Sequence, residues 1–529
     1  MSVRSILLAL ALLACLVPDR LPAAEHEFDV VIYGGTAGGA IAAIAAAREG
    51  VSVALLEPAR HIGGMLTGGL SRTDHGRKEV IGGLSREFFV RCGRQYGRDI
   101  EWYYEPKVGT QVLGEMLQEA GVQVFLEQRA GTVAREGTRL VRLTTLAGDT
   151  FRGKVFLDAS YEGDLLPRAG ISYTWGREGR DVYGESLAGR HEQSPKHQFD
   201  VEISPDDADG KLLPLVYGGD PTPPGQGDKK VQAYNFRLCF SKDPDNRVPF
   251  PKPADYDPAR FELLKRYLAV KGDALKLNQI LLIWPLPNRK ADINNQGPIS
   301  TDYIGGSWDY PEADYAARRR IWAEHVEYVK GFLYFLANDP SVPKTLQEEM
   351  SQWGLAKDEF VGNDNWPPQL YIREARRMIG EYVMRQADLQ TEGAKPDSIG
   401  MGSYNSDSHH VQRIPSPDGY VTNEGDMQVP VKPYEISYRA IIPKAAEATN
   451  LFVPVCFSSS HVAYSSMRME PVYMIMGHSA GVAASWCVKN DKPVQQAPYD
   501  WLEKKLREQK QVLSMDDALP PEPKRPLAW

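Results

Sequence analysis

The stretch VVIYGGTAGGAIAAIAAAREGVSVALLE, residues 30–57, decides the fold and reads as a strand, a glycine turn, a helix and a second strand. Val30, Val31, Ile32 and Tyr33 form the unbroken apolar run of a parallel strand buried on both faces. Gly34 and Gly35 permit the sharp turn that follows, where a side chain would block the backbone. From Gly38 to Glu49 the chain is rich in Ala and Gly on every face, so the helix can press closely on its sheet. Its N-terminal amides and dipole face the turn and make an anion site. Gly50 stops the helix, and Val51–Leu56 is a second apolar strand.

One position departs from the usual dinucleotide spacing. G-x-G-x-x-G calls for glycines at 34, 36 and 39, and Thr36 holds the middle place. Thr36 still offers its backbone N–H, and its hydroxyl is expected to add a hydrogen bond to phosphate. Glu57 ends the second strand 23 positions after Gly34, where an acidic residue meets the ribose hydroxyls of an adenine dinucleotide. A carboxylate there argues against a cofactor bearing a 2′-phosphate. The expected contacts are therefore Gly34, Gly35, Thr36, Gly38, Gly39 and Glu57.

The next segment selects among dinucleotides. HIGGMLTGGL, residues 61–70, packs four glycines into a loop after the second strand. A nicotinamide enzyme has no special need of such a loop. FAD does, because it runs past this segment and the backbone must approach its ribityl and flavin parts, so Gly63, Gly64 and Met65 join the cofactor set. In KVFLDASYEGDLLPRAG (154–170), Asp158 ends a short buried strand and is a further cofactor candidate. Glu162 and Asp164 either cap the helix that follows or act near the flavin. Near the end, Pro471 suits the first turn of a late helix, and Gly477, Ala480, Gly481 and Ala484 give it a small-residue face. The backbone near Met469 and Glu470 is expected to aim that helix's dipole at the flavin pyrimidine.

Composition bounds the rest. At 529 residues the chain is too long for one core, and 42% hydrophobic with 25% charged residues is ordinary for a folded protein. The net charge of −8 provides no basic patch, so nucleic acid is not an expected partner. Arg4, the apolar Ile6–Val17 and LPAA before Glu25 read as a signal peptide over 1–24, with lipid attachment at Cys15 as the weaker alternative. The mature chain is expected to be exported, periplasmic or secreted, without a transmembrane segment. Cys92, Cys239, Cys456 and Cys487 are too widely spaced for a metal site, and no metal is expected.

Together YGGTAGG, HIGGMLTGGL, FLDASYEGD, YGESLAG, DINN (292–295), LYIREARRMIG and SSSHVAYSSMRMEP resemble the FAD-dependent oxidoreductase family of bacterial proteins. That family is distantly similar to fumarate reductase flavoproteins and includes exported members from polysaccharide-degrading bacteria. The threonine turn is usual in it, whereas Gly38 stands where Ala is commoner. The resemblance implies an α/β fold: a Rossmann-like, glutathione-reductase-type FAD-binding domain with an inserted α+β substrate domain. The expected division is 25–170 for the first part of the FAD domain, 171–395 for the insertion, 396–495 for its completion and 496–529 for a tail. FAD is the implied cofactor, and hydride transfer between flavin N5 and a small organic substrate is the implied activity, with a sugar or uronic acid derivative suggested by the company the family keeps. Some relatives are labelled xanthan lyase, so the alternative is a redox-neutral carbohydrate lyase with a non-redox FAD. The electron acceptor (oxygen, a quinone or a cytochrome) leaves no motif, and the oligomeric state is left open.

Hydride transfer needs a group that takes the substrate proton. The resemblance puts His461 near the isoalloxazine as the first candidate base. His409 and His410, in NSDSHHVQR, are the second, with Asp407 and His409 sharing a face if the segment is extended. In LYIREARRMIGEYVMRQ, Arg373 and Arg377 would stand one turn apart on a helix with Arg376 beside them. They either hold an anion between them or pair with Glu374 and Glu381. Arg377, Arg468 and Tyr438 complete the candidate site.

Overall fold

The computed structural model describes residues 24–191, 194–218 and 222–522. The expected signal segment before Ala24, with Cys15, lies outside these residues.

The opening stretch folds as the spacing predicts. Strand β1 (Glu25–Tyr33) pairs in parallel with β2 (Val53–Leu56), Val30 opposite Val53. Four consecutive residues of each are fully buried, which explains their unbroken apolar runs. Beyond β2 lies β3 (Gln123–Phe125), also parallel. A meander of β4 (Ala130–Glu136), β5 (Arg139–Thr145) and β6 (Thr150–Asp158) returns to the other side of β1, giving the order β3-β2-β1-β6-β5-β4.

A second sheet is antiparallel throughout. It contains β7 (Leu238–Ser241), β8 (Arg247–Val248), β9 (Leu281–Leu286), β10 (Lys290–Asn295) and β11 (Gly354–Ala356) in the order β9-β10-β7-β11-β8. The chain enters and leaves this region side by side, since Tyr173–Thr174 pairs with Arg377–Met378. Far along the chain, β12 (Leu451–Phe452) adds in parallel to the C-terminal half of β6 and completes the first sheet.

Four helices matter for the site. Helix α1 (Ala37–Arg48) follows the glycine turn, and α2 (Tyr315–Asn338) is a long helix capped by Asp314 accepting from the Ala317 amide at 2.7 Å. Helix α3 (His461–Met467) leads to α4 (Glu470–Asn490), with Pro471 in its first turn. The small residues of α4 meet α1 at near contact. A Cβ on Gly477 would come 2.1 Å from the Gly38 carbonyl oxygen, and one on Gly481 would come 2.3 Å from that of Ala42. No side chain fits at either place.

One expectation fails, and of the two alternatives for Asp164 the helix cap is excluded. LYIREARRMIGEYVMRQ is not a helix: residues 372–376 carry no regular structure, and Arg377–Met378 is a short strand. The arginine spacing imitates a helical face because each cation answers a different acid. Asp164 does sit before the one-turn helix Leu165–Arg168, but its side chain makes no cap. It pairs with Arg318 at 2.8 Å instead, while Asp158 accepts from the Leu165 amide at 2.7 Å.

All four described cysteines are buried and free. Among the described residues no helix is long and apolar enough to cross a membrane.

Candidate functional site

The glycine turn is held in shape by bonds from three directions. Gly34 adopts φ +101°, and a Cβ there would lie 2.4 Å from the Ser160 nitrogen. Thr36 caps α1, its hydroxyl accepting from the Gly39 amide at 3.2 Å and donating to the Ala159 carbonyl at 2.8 Å. That hydroxyl is therefore engaged within the protein, contrary to the expected phosphate bond, and Thr36 has its backbone to offer a ligand. Glu57 accepts from the Gly35 amide at 2.8 Å and from the Ala59 amide at 2.7 Å. Burial pushes its carboxyl up to about 7 despite these two bonds.

The two glycine loops are joined. The Gly63 amide donates to the Gly35 carbonyl at 2.6 Å, and Gly63 and Gly64 both take positive φ. The Met65 amide donates to the Tyr161 hydroxyl at 2.9 Å, which donates to Glu470 at 2.8 Å. Loop 61–70 is thereby tied to the first residue of α4. Glu470 is fully buried, burial raises its carboxyl to about 8, and its Oε2 has no partner.

A cavity of 570 Å³ opens beside this turn, lined by Gly34, Thr36, Glu57, Gly64, Tyr161 and, across from them, α2. Gly35, Gly38, Gly39, Gly63 and Met65 form its supporting backbone rather than its wall. Asp158 lies behind it, bonded to Ser160 and Leu165. Met469 and Glu470 line neither this cavity nor the second, and Glu470 is reached through the Tyr161 hydroxyl.

A second, polar cavity of 340 Å³ begins where loop 61–70 ends, lined among others by Arg72, Asp74, Tyr371, Asp407 and His409. His409 is its buried imidazole. Its Nδ1 lies 2.6 Å from Asp302 Oδ2, and Asp302 is paired with Arg373 at 3.0 Å. Burial, with Arg373 nearby, holds the His409 pKa well below the ordinary 6.5, so the ring is neutral. Asp407, the expected orienting acid, is 4.0 Å from Nε2. Asp302 takes that role, and nothing in the spacing of NSDSHHVQR announces it. Arg468 braces this wall, donating to the Asp407 carbonyl at 2.7 Å and the Tyr371 hydroxyl at 3.1 Å. His410 points away and meets the Lys196 carbonyl at 3.0 Å.

His461 and Arg377 line neither cavity. His461 Nδ1 bonds Glu374 at 2.8 Å, and Arg377 is paired with Glu374 and Glu178. Burial would raise the Glu374 carboxyl, but the His461 and Arg377 charges outweigh it and hold it at about 2. Arg376 pairs with Glu312 at 2.6 Å. The three arginines thus hold internal acids, with Glu374 a partner as expected and Glu381 not, since Glu381 accepts from the Ala445 amide. Glu374 also accepts from Gln232 Nε2 at 3.1 Å, and Gln232 Oε1 accepts from the His409 amide at 3.1 Å, so the two histidine regions are linked. Tyr438 bonds the Val494 carbonyl and belongs to neither cavity. Sequence reasoning missed Arg72, Asp74, Arg237 and Asp302, which sit in segments without a recognisable motif.

The family described as FAD dependent oxidoreductase matches residues 29–506. No match was found among curated proteins. Among solved structures, the flavin-dependent brominase Bmp2 is 20% identical over 29% of this chain and 42% of its own, with a TM-score of 0.23. THI4 of Thermovibrio ammonificans is 23% identical over 29% of this chain and 66% of its own, at 0.23. NikD, an amino acid oxidase essential for nikkomycin biosynthesis, is 16% identical over 29% and 56%, at 0.22. In each, the match spans less than two thirds of the neighbour's length.

Proposed function

The chain belongs to the FAD dependent oxidoreductase family, and from that premise we propose that it moves hydride between flavin N5 and a small organic substrate seated in the polar cavity, with His409 as the proton acceptor. The protein is an enzyme and FAD is its cofactor. The residues fit that group. The cavity starting at Gly34, Thr36 and Glu57 offers a helix N-terminus for pyrophosphate and a carboxylate for ribose. Gly64 belongs to the same lining, at the start of the loop whose far end brings Arg72 to the second cavity. When bound, FAD supplies the hydride acceptor.

The observation that carries the reading is the run of one loop along both cavities. Gly64 lines the first and Arg72 the second, and the second contains a neutral imidazole held by Asp302. A neutral His409 with Nδ1 bound to a carboxylate keeps Nε2 free to take the proton of a substrate hydroxyl as hydride leaves the carbon. Arg468 and Tyr371 fix the wall beside it, and Glu374, Arg377 and His461 hold the segment behind it rigid.

The test is anaerobic titration of the FAD-loaded protein with sugars, sugar acids and simple alcohols, following the visible flavin band. Bleaching without added reductant supports hydride transfer. A flavin that stays oxidised while unsaturated sugar ends appear supports the lyase alternative instead. Export is part of the same proposal, supported by Arg4 and the apolar run Ile6–Val17. N-terminal sequencing of the protein recovered outside the cytoplasm, beginning near Glu25, would test it.

A further inference from the structure

The polar cavity holds three buried polar atoms that the protein leaves without a partner: Arg72 Nη1, Thr73 Oγ1 and Asn295 Oδ1. Groups buried in this way are ordinarily bonded, so three among the residues of one lining mark a place where something else is meant to bond. Arg72 is unusual among the arginines nearby. Arg237 is bound by Asp292, Arg373 by Asp302, and Arg468 by Asp407 and Tyr371. The Arg72 guanidinium instead lies between two rings, 4.2 Å from the centre of Tyr103 and 3.8 Å from that of Trp284. That sandwich fixes its plane and leaves its edge for a planar anion.

The other two atoms add a second requirement. Asn295 Oδ1 can only accept, so the ligand must donate to it, as a hydroxyl does. Thr73 Oγ1 can do either. Asp74 and Asp407 line the same cavity beside Lys196 and Arg237, the latter already held by Asp292, so the lining is of mixed charge and one negative charge on the ligand is enough to answer Arg72.

Resting on the proposal that the substrate sits in this cavity, we infer that it is a hydroxylated monocarboxylate, its carboxylate on Arg72 and its hydroxyls on Asn295 and Thr73. The reacting carbinol then faces His409, and the carboxylate serves to orient it rather than to react. Neutral sugars lack the group that Arg72 would hold, and a phosphate ester would bring a second negative charge beside Asp74 and Asp407.

The experiment is calorimetric titration of the FAD-loaded protein with gluconate, glucose and glucose 6-phosphate, repeated for Arg72→Gln. Gluconate should bind at least about tenfold more tightly than glucose, and Arg72→Gln should abolish that difference, as expected for loss of a charge-assisted bond. Equal affinity for gluconate and glucose, tightest binding of glucose 6-phosphate, no binding of any of the three, or an undiminished preference in Arg72→Gln would each overturn the inference. Should Arg72→Gln fail to fold, the wild-type ranking still decides, and Asn295→Ala must weaken gluconate about tenfold. The two readings fail separately. Flavin bleached by neutral alcohols with no preference for acids defeats this inference alone. Arg72-dependent binding of gluconate to a flavin that no substrate bleaches defeats the proposed hydride transfer alone.

Discussion

His409 Nδ1 lies 2.6 Å from Asp302 Oδ2, a carboxylate 107 positions earlier in the chain. This contact ties the wall of the polar cavity to the loop before α2 and engages Nδ1 rather than Nε2, as the proposed role of His409 in proton transfer requires. Asp302→Asn should therefore lower the rate of flavin bleaching about tenfold or more while FAD stays bound, because the base is still present but less well oriented. The wild-type rate should also hold steady as pH falls through 6.5. Burial keeps the His409 ring neutral well below that value, so the base is lost only at lower pH. Stopped-flow bleaching across a pH series measures both.

Glu57 bonds the Gly35 amide with one oxygen and the Ala59 amide with the other. Glu57→Gln keeps the shape but loses the charge-assisted acceptor, so FAD affinity should fall roughly tenfold. Fluorescence of released flavin on dilution gives the dissociation constant.

Gly477 and Gly38 leave no room between α4 and α1. Gly477→Ala puts a methyl group 2.1 Å from the Gly38 carbonyl oxygen and should destabilise the protein by about 1–3 kcal/mol. Since α1 begins at the wall of the dinucleotide cavity, FAD retention should fall with the melting temperature. Thermal unfolding with and without added FAD separates the two losses.

Glu470 gives a pH-dependent stability of defined sign. Burial raises its carboxyl from the ordinary 4.5 to about 8 in the folded state. The folded protein then holds a proton that the unfolded chain releases, so this contribution is fully present below pH 4.5 and is lost as pH rises toward 8. Glu470→Gln cannot ionise, and its melting temperature should gain on the wild type across that window. A constant difference between the two at every pH would mean that Glu470 is already charged in the fold.

The sequence announced the dinucleotide half of the molecule because backbone geometry there demands particular residues. Gly34 at positive φ, Gly38 and Gly477 at helix contact, and Glu57 at the strand end each follow from one local rule. The polar cavity obeyed no such rule. Arg72, Asp302 and His409 come from three distant segments, and their meeting depends on how the second sheet packs. The arginines at 373, 376 and 377 misled for a related reason, since their spacing suits a helix while each is placed by an acid elsewhere: Asp302, Glu312 and Glu178. His461 was expected at the flavin on the strength of the family resemblance; its Nδ1 is taken by Glu374 and it lines neither cavity.

The choice between the two histidines tests the account most directly. His409→Asn and His461→Asn should each be loaded with FAD and compared for the anaerobic bleaching rate per bound flavin, with the best substrate of the wild type. The account predicts a loss of about a hundredfold or more for His409→Asn, the range of a general base. It predicts a rate near wild type for His461→Asn, with lowered thermal stability because Glu374 and Arg377 lose a partner. A silent His409→Asn beside a dead but FAD-loaded His461→Asn would contradict it and move the chemistry to the other histidine.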